Sequence, residues 1–97
     1  MRKITFLFFI PLYFLSVSQA QCVRGDCVAG KGTFEYTTGD VYEGEFLHGN
    51  RHGKGHLHMP NGDAYDGEWK NDKMHGQGVY SYRNGDVLTG EFSQGMI

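Results

Sequence analysis

Hydrophobic and polar positions divide the chain near residue 20. Ahead of that point, Ile4 to Leu15 is a 12-residue run interrupted only by Thr5 and Pro11. Beyond it the pattern changes to alternation. Thr33-Phe34-Glu35-Tyr36 alternates polar with apolar, and Val41 to Phe46 does so again, which is the period of a strand with one buried face. Thr38-Gly39-Asp40 lies between these stretches, as Asn61-Gly62-Asp63 and Asn84-Gly85-Asp86 do further on, and each is turn chemistry. The predicted unit is a β-hairpin, followed by a loop of about six residues that leads to the next one.

The hairpins recur. Gly39-Asp40-Val41-Tyr42-Glu43-Gly44-Glu45-Phe46 returns as Gly62-Asp63-Ala64-Tyr65-Asp66-Gly67-Glu68-Trp69 and as Gly85-Asp86-Val87-Leu88-Thr89-Gly90-Glu91-Phe92, at the same offset both times. Gly30-Lys31-Gly32, Gly53-Lys54-Gly55 and Gly76-Gln77-Gly78 keep that period, and His52 and His75 precede the last two. Such self-similarity marks a repeat architecture. The units are 30–52, 53–75 and 76–97, preceded by half a unit at 21–29. In that half unit Cys22 and Cys27 fall on the positions of Glu45 and Asn50. The expected fold is all-β: a single-layer antiparallel meander of hairpins with a partial N-terminal cap.

A three-residue turn at Thr38-Gly39-Asp40 pairs Tyr36 with Tyr42, Phe34 with Gly44 and Gly32 with Phe46. Large rings then face glycines across the strands, a device that protects glycine backbone. One face carries Phe34, Tyr36, Tyr42, Phe46, Leu57, Met59, Tyr65, Trp69, Tyr80, Tyr82, Leu88 and Phe92. The other carries Glu35, Glu43, Glu45, His56, His58, Asp66, Glu68, Ser81, Thr89 and Glu91. Nothing in the sequence supplies a second layer, so the aromatic face is expected to stay partly exposed and to bind a partner. Tyr42, Phe46, Tyr65, Trp69 and Phe92 are its expected anchors, since aromatics in a desolvated patch carry most binding energy.

The first 20 residues read as a secretory signal peptide. Arg2 and Lys3 precede the apolar run, and Ser18-Gln19-Ala20 offers a cleavage site. The run is too short for a membrane span, which needs about 20 apolar residues. The expected location is therefore exported: secreted, periplasmic or envelope-associated. Removal of Arg2 and Lys3 takes the formal net charge from −2 to −4, so no basic patch points to nucleic acid. All 15 glycines remain, roughly a fifth of the mature chain against a usual ~7%. In an oxidising compartment Cys22 and Cys27 are expected to form a disulfide that staples the cap, with Arg24-Gly25-Asp26 as the turn between them.

Little in the sequence suggests catalysis. The columns Asp40, Asp63, Asp86 and Glu45, Glu68, Glu91 recur once in every unit, as structural roles would. The aspartates are expected to bond turn N–H groups and the glutamates to line a solvated face. His56 is expected opposite Glu68 and His58 opposite Asp66. Two histidines at i, i+2 with two carboxylates are weak metal candidates, and the plainer reading is a solvated His–carboxylate pairing. The Gly-x-Gly pairs lack the following helix that phosphate binding needs. No cofactor and no small-molecule substrate is expected.

The pattern Tyr42-x-Gly44-x-Phe46, Gly49, His52-Gly53-x-Gly55, Asn61-Gly62-Asp63-x-Tyr65-x-Gly67-x-Trp69 resembles the MORN (membrane occupation and recognition nexus) repeat. The resemblance covers about residues 30–95. It implies an elongated single-layer sheet of hairpins that works as a non-catalytic interaction and scaffolding module. The implied partner is another protein or a second copy of the chain, and the alternative is a phospholipid membrane surface. Leu88 stands where the repeat has Tyr, and Asp72 where the loop has Gly. The sequence given stops at Met96-Ile97, before the next His-Gly-x-Gly, which leaves an open edge strand as a second expected contact surface.

Overall fold

The computed structural model describes residues 19–96; the signal-peptide reading of residues 1–20 lies almost wholly outside them. Seven strands follow in chain order: β1 (Gln21–Gly25), β2 (Lys31–Glu35), β3 (Val41–Leu47), β4 (Asn50–His58), β5 (Ala64–Lys70), β6 (Lys73–Ser81) and β7 (Val87–Phe92). They form one antiparallel sheet in that same order, and the described residues contain no helix. Every neighbour in the sheet is therefore a neighbour in sequence, as a meander of hairpins requires.

Two kinds of turn alternate. Three-residue loops at 37–39, 60–62 and 83–85 are closed by N–H to C=O bonds of Tyr36 to Asp40 (2.9 Å), Met59 to Asp63 (2.9 Å) and Tyr82 to Asp86 (2.8 Å). Each ends on a glycine with φ near +100°: Gly39, Gly62 and Gly85. Glycine suits that last loop position because a Cβ is disfavoured there. Two-residue turns at His48-Gly49 (φ 54° and 79°) and Asn71-Asp72 (φ 50° and 71°) join β3 to β4 and β5 to β6. Positive φ at both positions matches the right-handed twist of the strands.

These turns correct the expected register. The three-residue loop is Thr37-Thr38-Gly39, one residue earlier than expected, because the glycine takes its last position rather than its middle. Pairing slips by two residues: Phe34 faces Tyr42, and Gly32 faces Gly44. A slip of two preserves which face each side chain occupies, so the face assignment stands while the expected ring-against-glycine pairs do not. The six-residue loop is also replaced. A tight turn and an early start of β4 and β6 occupy it, with an irregularity where Glu45 and Glu68 each face an enlarged stretch of the next strand.

The glycines instead face one another. Gly25, Gly32, Gly44, Gly55, Gly67, Gly78 and Gly90 form one row that crosses all seven strands. The row is the floor on which the rings lie. A Cβ on Gly55 would collide with the Tyr42 ring, and one on Gly78 with the Tyr65 ring. The phenols lie along this floor, and their hydroxyls donate to the carbonyls of Glu45 (2.8 Å) and Glu68 (3.0 Å). Above it, rings meet edge to face in an unbroken chain: Phe46–Tyr42 at 5.0 Å, Tyr42–Trp69 at 5.3 Å, Trp69–Tyr65 at 5.2 Å and Tyr65–Phe92 at 5.1 Å. This is the geometry aromatic quadrupoles favour, at about 1 kcal/mol per pair beyond area burial. The Trp69 indole N–H donates to the Gly55 carbonyl at 3.2 Å, so its polar edge is satisfied as well.

At the N-terminal end Cys22 and Cys27 are joined, with Cα atoms 6.0 Å apart. A Cβ on Gly32 would come within 2.9 Å of the Cys27 sulfur. The disulfide thus sits over the Gly32 stretch of floor, a place that later repeats cover with a tyrosine. Asp26 completes the cap by accepting the N–H groups of Val28 (2.9 Å) and Ala29 (3.1 Å), which hold its carboxyl below the usual range.

Candidate functional site

Tyr42, Phe46, Tyr65, Trp69 and Phe92, the expected anchors of an exposed face, are between 0% and 5% exposed. They are the core. The expectation of an open aromatic face missed that the glycine floor lets rings lie flat and cover one another, so one layer buries its own apolar surface. Phe34, Tyr36, Met59, Met74 and Tyr80 close the margins of this cluster.

Arg51, which the sequence marks only as a loop residue, locks one repeat to the next. Its guanidinium carbon lies 4.6 Å from the Trp69 ring centre and 5.2 Å from that of Tyr36. Its Nε donates to Asp72 Oδ1 at 2.7 Å and its Nη2 to the Asp72 carbonyl at 3.0 Å. The backbone adds Arg51 N–H to Asp72 Oδ1 (3.1 Å) and Asp72 N–H to the Arg51 carbonyl (2.9 Å). Asp72 occupies the left-handed conformation that the repeat usually gives to glycine, and this set of bonds holds it there.

The acidic columns separate. Glu45 and Glu68 do not simply line a solvated face: each carboxylate accepts a backbone N–H where the strand irregularity frees one, from Lys54 and Gln77, both at 3.0 Å. Asp63 accepts the Arg83 N–H of the next hairpin (3.0 Å), the Tyr80 hydroxyl (2.9 Å) and the Asn61 amide (3.3 Å). The Arg83 bond above all lowers its pKa, and burial together with Asp63 pushes the Tyr80 phenol up to about 12. At the Asp40 level the donor position is Pro60, which has no N–H, and the Tyr80 position is Leu57. The aspartates thus reach across to the neighbouring turn where a donor exists.

On the polar face His56 stands directly between Glu43 of β3 and Asp66 of β5. Its Nδ1 is 3.8 Å from Asp66 Oδ1, and its ring centre is 4.3 Å from that of His58. His58 faces Val41 and Ala64, and Glu68 faces Lys54, so the expected pairs His56–Glu68 and His58–Asp66 are corrected by the same two-residue slip.

Exposed large apolar side chains are frequent along the last hairpin and its flanks, with Val79 and Val87 on the polar face and Tyr82 on the aromatic face. Val79, Tyr82, Val87 and Met96 are 36–70% exposed, four of seven such residues among those described. Beside them runs β7. The Tyr82–Asp86 bond fixes the alternation along that strand, so the N–H and C=O groups of Val87, Thr89 and Glu91 point away from β6. Among the described residues no strand pairs with them.

The repeating hairpins, glycine floor and tyrosine seats agree with a family model. The MORN repeat matches at residues 29–41, 42–64 and 65–87. The chain belongs to the MORN repeat family. The family frame begins each unit at the core tyrosine, Tyr42 or Tyr65, whereas the frame read from the glycines begins at Gly30 and Gly53; both have the same period. No curated protein matches the chain in sequence. MORN repeats are non-enzymatic modules linked generally to protein or membrane-lipid interaction, and nothing among the described residues indicates catalysis.

Proposed function

We propose that this MORN-repeat chain is an exported, non-catalytic interaction module that receives an extended segment of a partner protein along the outer edge of β7. One observation carries the reading: the ladder groups of Val87, Thr89 and Glu91, unpaired among the described residues, lie on the outer edge of β7 beside the exposed Val87 and Val79. Main-chain groups supply affinity in such strand addition, and flanking side chains supply selectivity. Val87 and Val79 offer apolar contacts on the outward face, and β7 contains no proline or irregularity to block pairing. Export rests on the apolar N-terminal run and agrees with the paired cysteines of the cap. Membrane association through aromatic rings is the weaker reading, because the five core rings are covered.

Site-specific photocrosslinking in the native envelope tests this. A photoreactive residue at Val87 should trap a discrete protein adduct, and one at Glu35, on the same face but five strands away on β2, should not. Thr89→Pro should abolish the Val87 adduct while strand circular dichroism persists. Equal adducts from both positions, or an adduct indifferent to Thr89→Pro, would refute the edge. Flotation of the chain with phospholipid vesicles at high salt would favour the membrane instead.

A further inference from the structure

We propose that the polar face over β3, β4 and β5 binds one divalent transition cation of the copper or zinc type, held by His56, His58 and Glu43, with the Asp66 carboxylate beside His56. His56 and His58 are two residues apart on one strand, so both imidazoles leave the same face. Their ring centres are already 4.3 Å apart. Asp66 Oδ1 lies 3.8 Å from His56 Nδ1, beyond hydrogen-bond reach, so its carboxylate adds negative charge beside the imidazole without fixing the ring.

Glu43 stands directly opposite His56 on β3, where facing Cβ atoms lie about 5 Å apart. It replaces Glu68 in the set suggested by the sequence, because Glu68 caps the Gln77 N–H instead. His58 is flanked across the sheet by Val41 and Ala64, whose side chains offer its ring no polar partner. The side chains as they stand do not gather three ligands about one point. Closing the set requires rotation about the side-chain bonds of His58 and Glu43, both of which are exposed. Two imidazoles and a carboxylate without a thiolate select a borderline cation, and the order of stabilities places Cu2+ above Zn2+. The equivalent positions in the other hairpins are Thr33 and Glu35, and Val79 and Ser81, so the site occurs once.

Calorimetric titration of the full chain with Cu2+ and with Zn2+, paired with electron paramagnetic resonance of the Cu2+ form, tests this. One ion per chain is expected, with nitrogen coupling in the spectrum. His58→Ala should weaken binding by about tenfold or more and Glu43→Gln by a smaller factor, both with unchanged strand circular dichroism. His75→Ala, in another row of the sheet, should have no effect. Absence of binding, binding retained by the His56→Ala/His58→Ala double variant, or equal weakening by His75→Ala would each overturn the site.

Discussion

The strands β1 and β7 end the same sheet in different ways. β1 is five residues long, slips register between Cys22 and Arg24, and is tied back by the disulfide. β7 pairs with β6 without irregularity and has a single charged side chain, Glu91. A stacked array needs something at each end, because a terminal repeat lacks the neighbour that would bury its inner face. At β1 a covalent staple replaces the neighbour, with sulfur where later repeats place a ring. At β7 the described residues contain no replacement, and the ladder groups face outward. Among the described residues the first end is closed covalently and the second presents an unpaired ladder.

The sharpest test of that contrast compares equivalent positions. Asp66 and Thr89 are one repeat apart and hold the same place in their hairpins. Alternation aims the N–H of Asp66 into the β5–β6 ladder and that of Thr89 away from the sheet. Asp66→Pro should therefore cost about 3 kcal/mol or more, since proline removes a ladder bond in an interior strand. Thr89→Pro should cost about 1 kcal/mol or less, as proline does on an edge. Chemical denaturation of both variants checks this, and equal losses would mean that β7 is not an edge.

The disulfide comes next. Cys22→Ser should destabilise the chain by about 2 kcal/mol, the chain-entropy value for so short a loop. Because β1 pairs only with β2 among the described strands, the loss should be local. Hydrogen exchange should quicken in β1 and β2 and leave β5 and β6 protected. Faster exchange at β6 and β7 instead would show that the staple supports the whole array.

Interior and terminal turns differ in a smaller way. Asn71-Asp72 is held by the Arg51 side chain at the start of β4, whereas among the described residues the matching Gln94-Gly95 receives from the preceding hairpin only the bond from Gly95 N–H to the Met74 carbonyl, at 2.9 Å. Arg51→Ala should cost about 1–2 kcal/mol, through lost stacking on Trp69 and lost bonds to Asp72. Asp72→Gly should be nearly neutral in the native background, where relief of left-handed strain offsets the lost pair. It should be stabilising in the Arg51→Ala background. Thermal melts of the four proteins measure the coupling, and additive shifts would show that Arg51 and Asp72 act independently.

Strand content, repeat period and the two faces were legible in the sequence for a specific reason. A two-residue slip changes every cross-strand partner yet leaves each side chain on its face, so periodicity was robust where register was not. Register depended on whether Gly39 fills the middle or the last position of its loop, and Thr37-Thr38-Gly39-Asp40 permits both. The turn at Asn71-Asp72 was hidden because neither residue is glycine, and what stabilises it is Arg51, nearly a whole repeat earlier in the chain. Burial of Trp69 and Tyr42 was hidden because it arises from rings covering one another over a glycine floor, a property of the assembled sheet. For the polar face, the His56–His58 adjacency follows from i, i+2 spacing alone, whereas the choice of Glu43 over Glu68 waits on register.

The smallest expected effect concerns the aspartate column. Asp63 bonds the hairpin beyond it through the Arg83 N–H of the turn and Tyr80 of β6, while among the described residues Asp86 bonds only within its own loop, to Asn84. Asp63→Ala should therefore lower the melting temperature more than Asp86→Ala. The pKa of Asp63 is lowered in the folded chain, chiefly by the Arg83 bond. Its contribution is present above the unfolded-state value near 3.9 and fades as pH falls through the lower folded value. The melting-temperature gap between wild type and Asp63→Ala should thus be steady at neutral pH and shrink below about pH 4. A gap that stays constant to pH 2 would assign the effect to packing, and an equal gap for Asp86→Ala would remove the distinction between an interior hairpin and the last one.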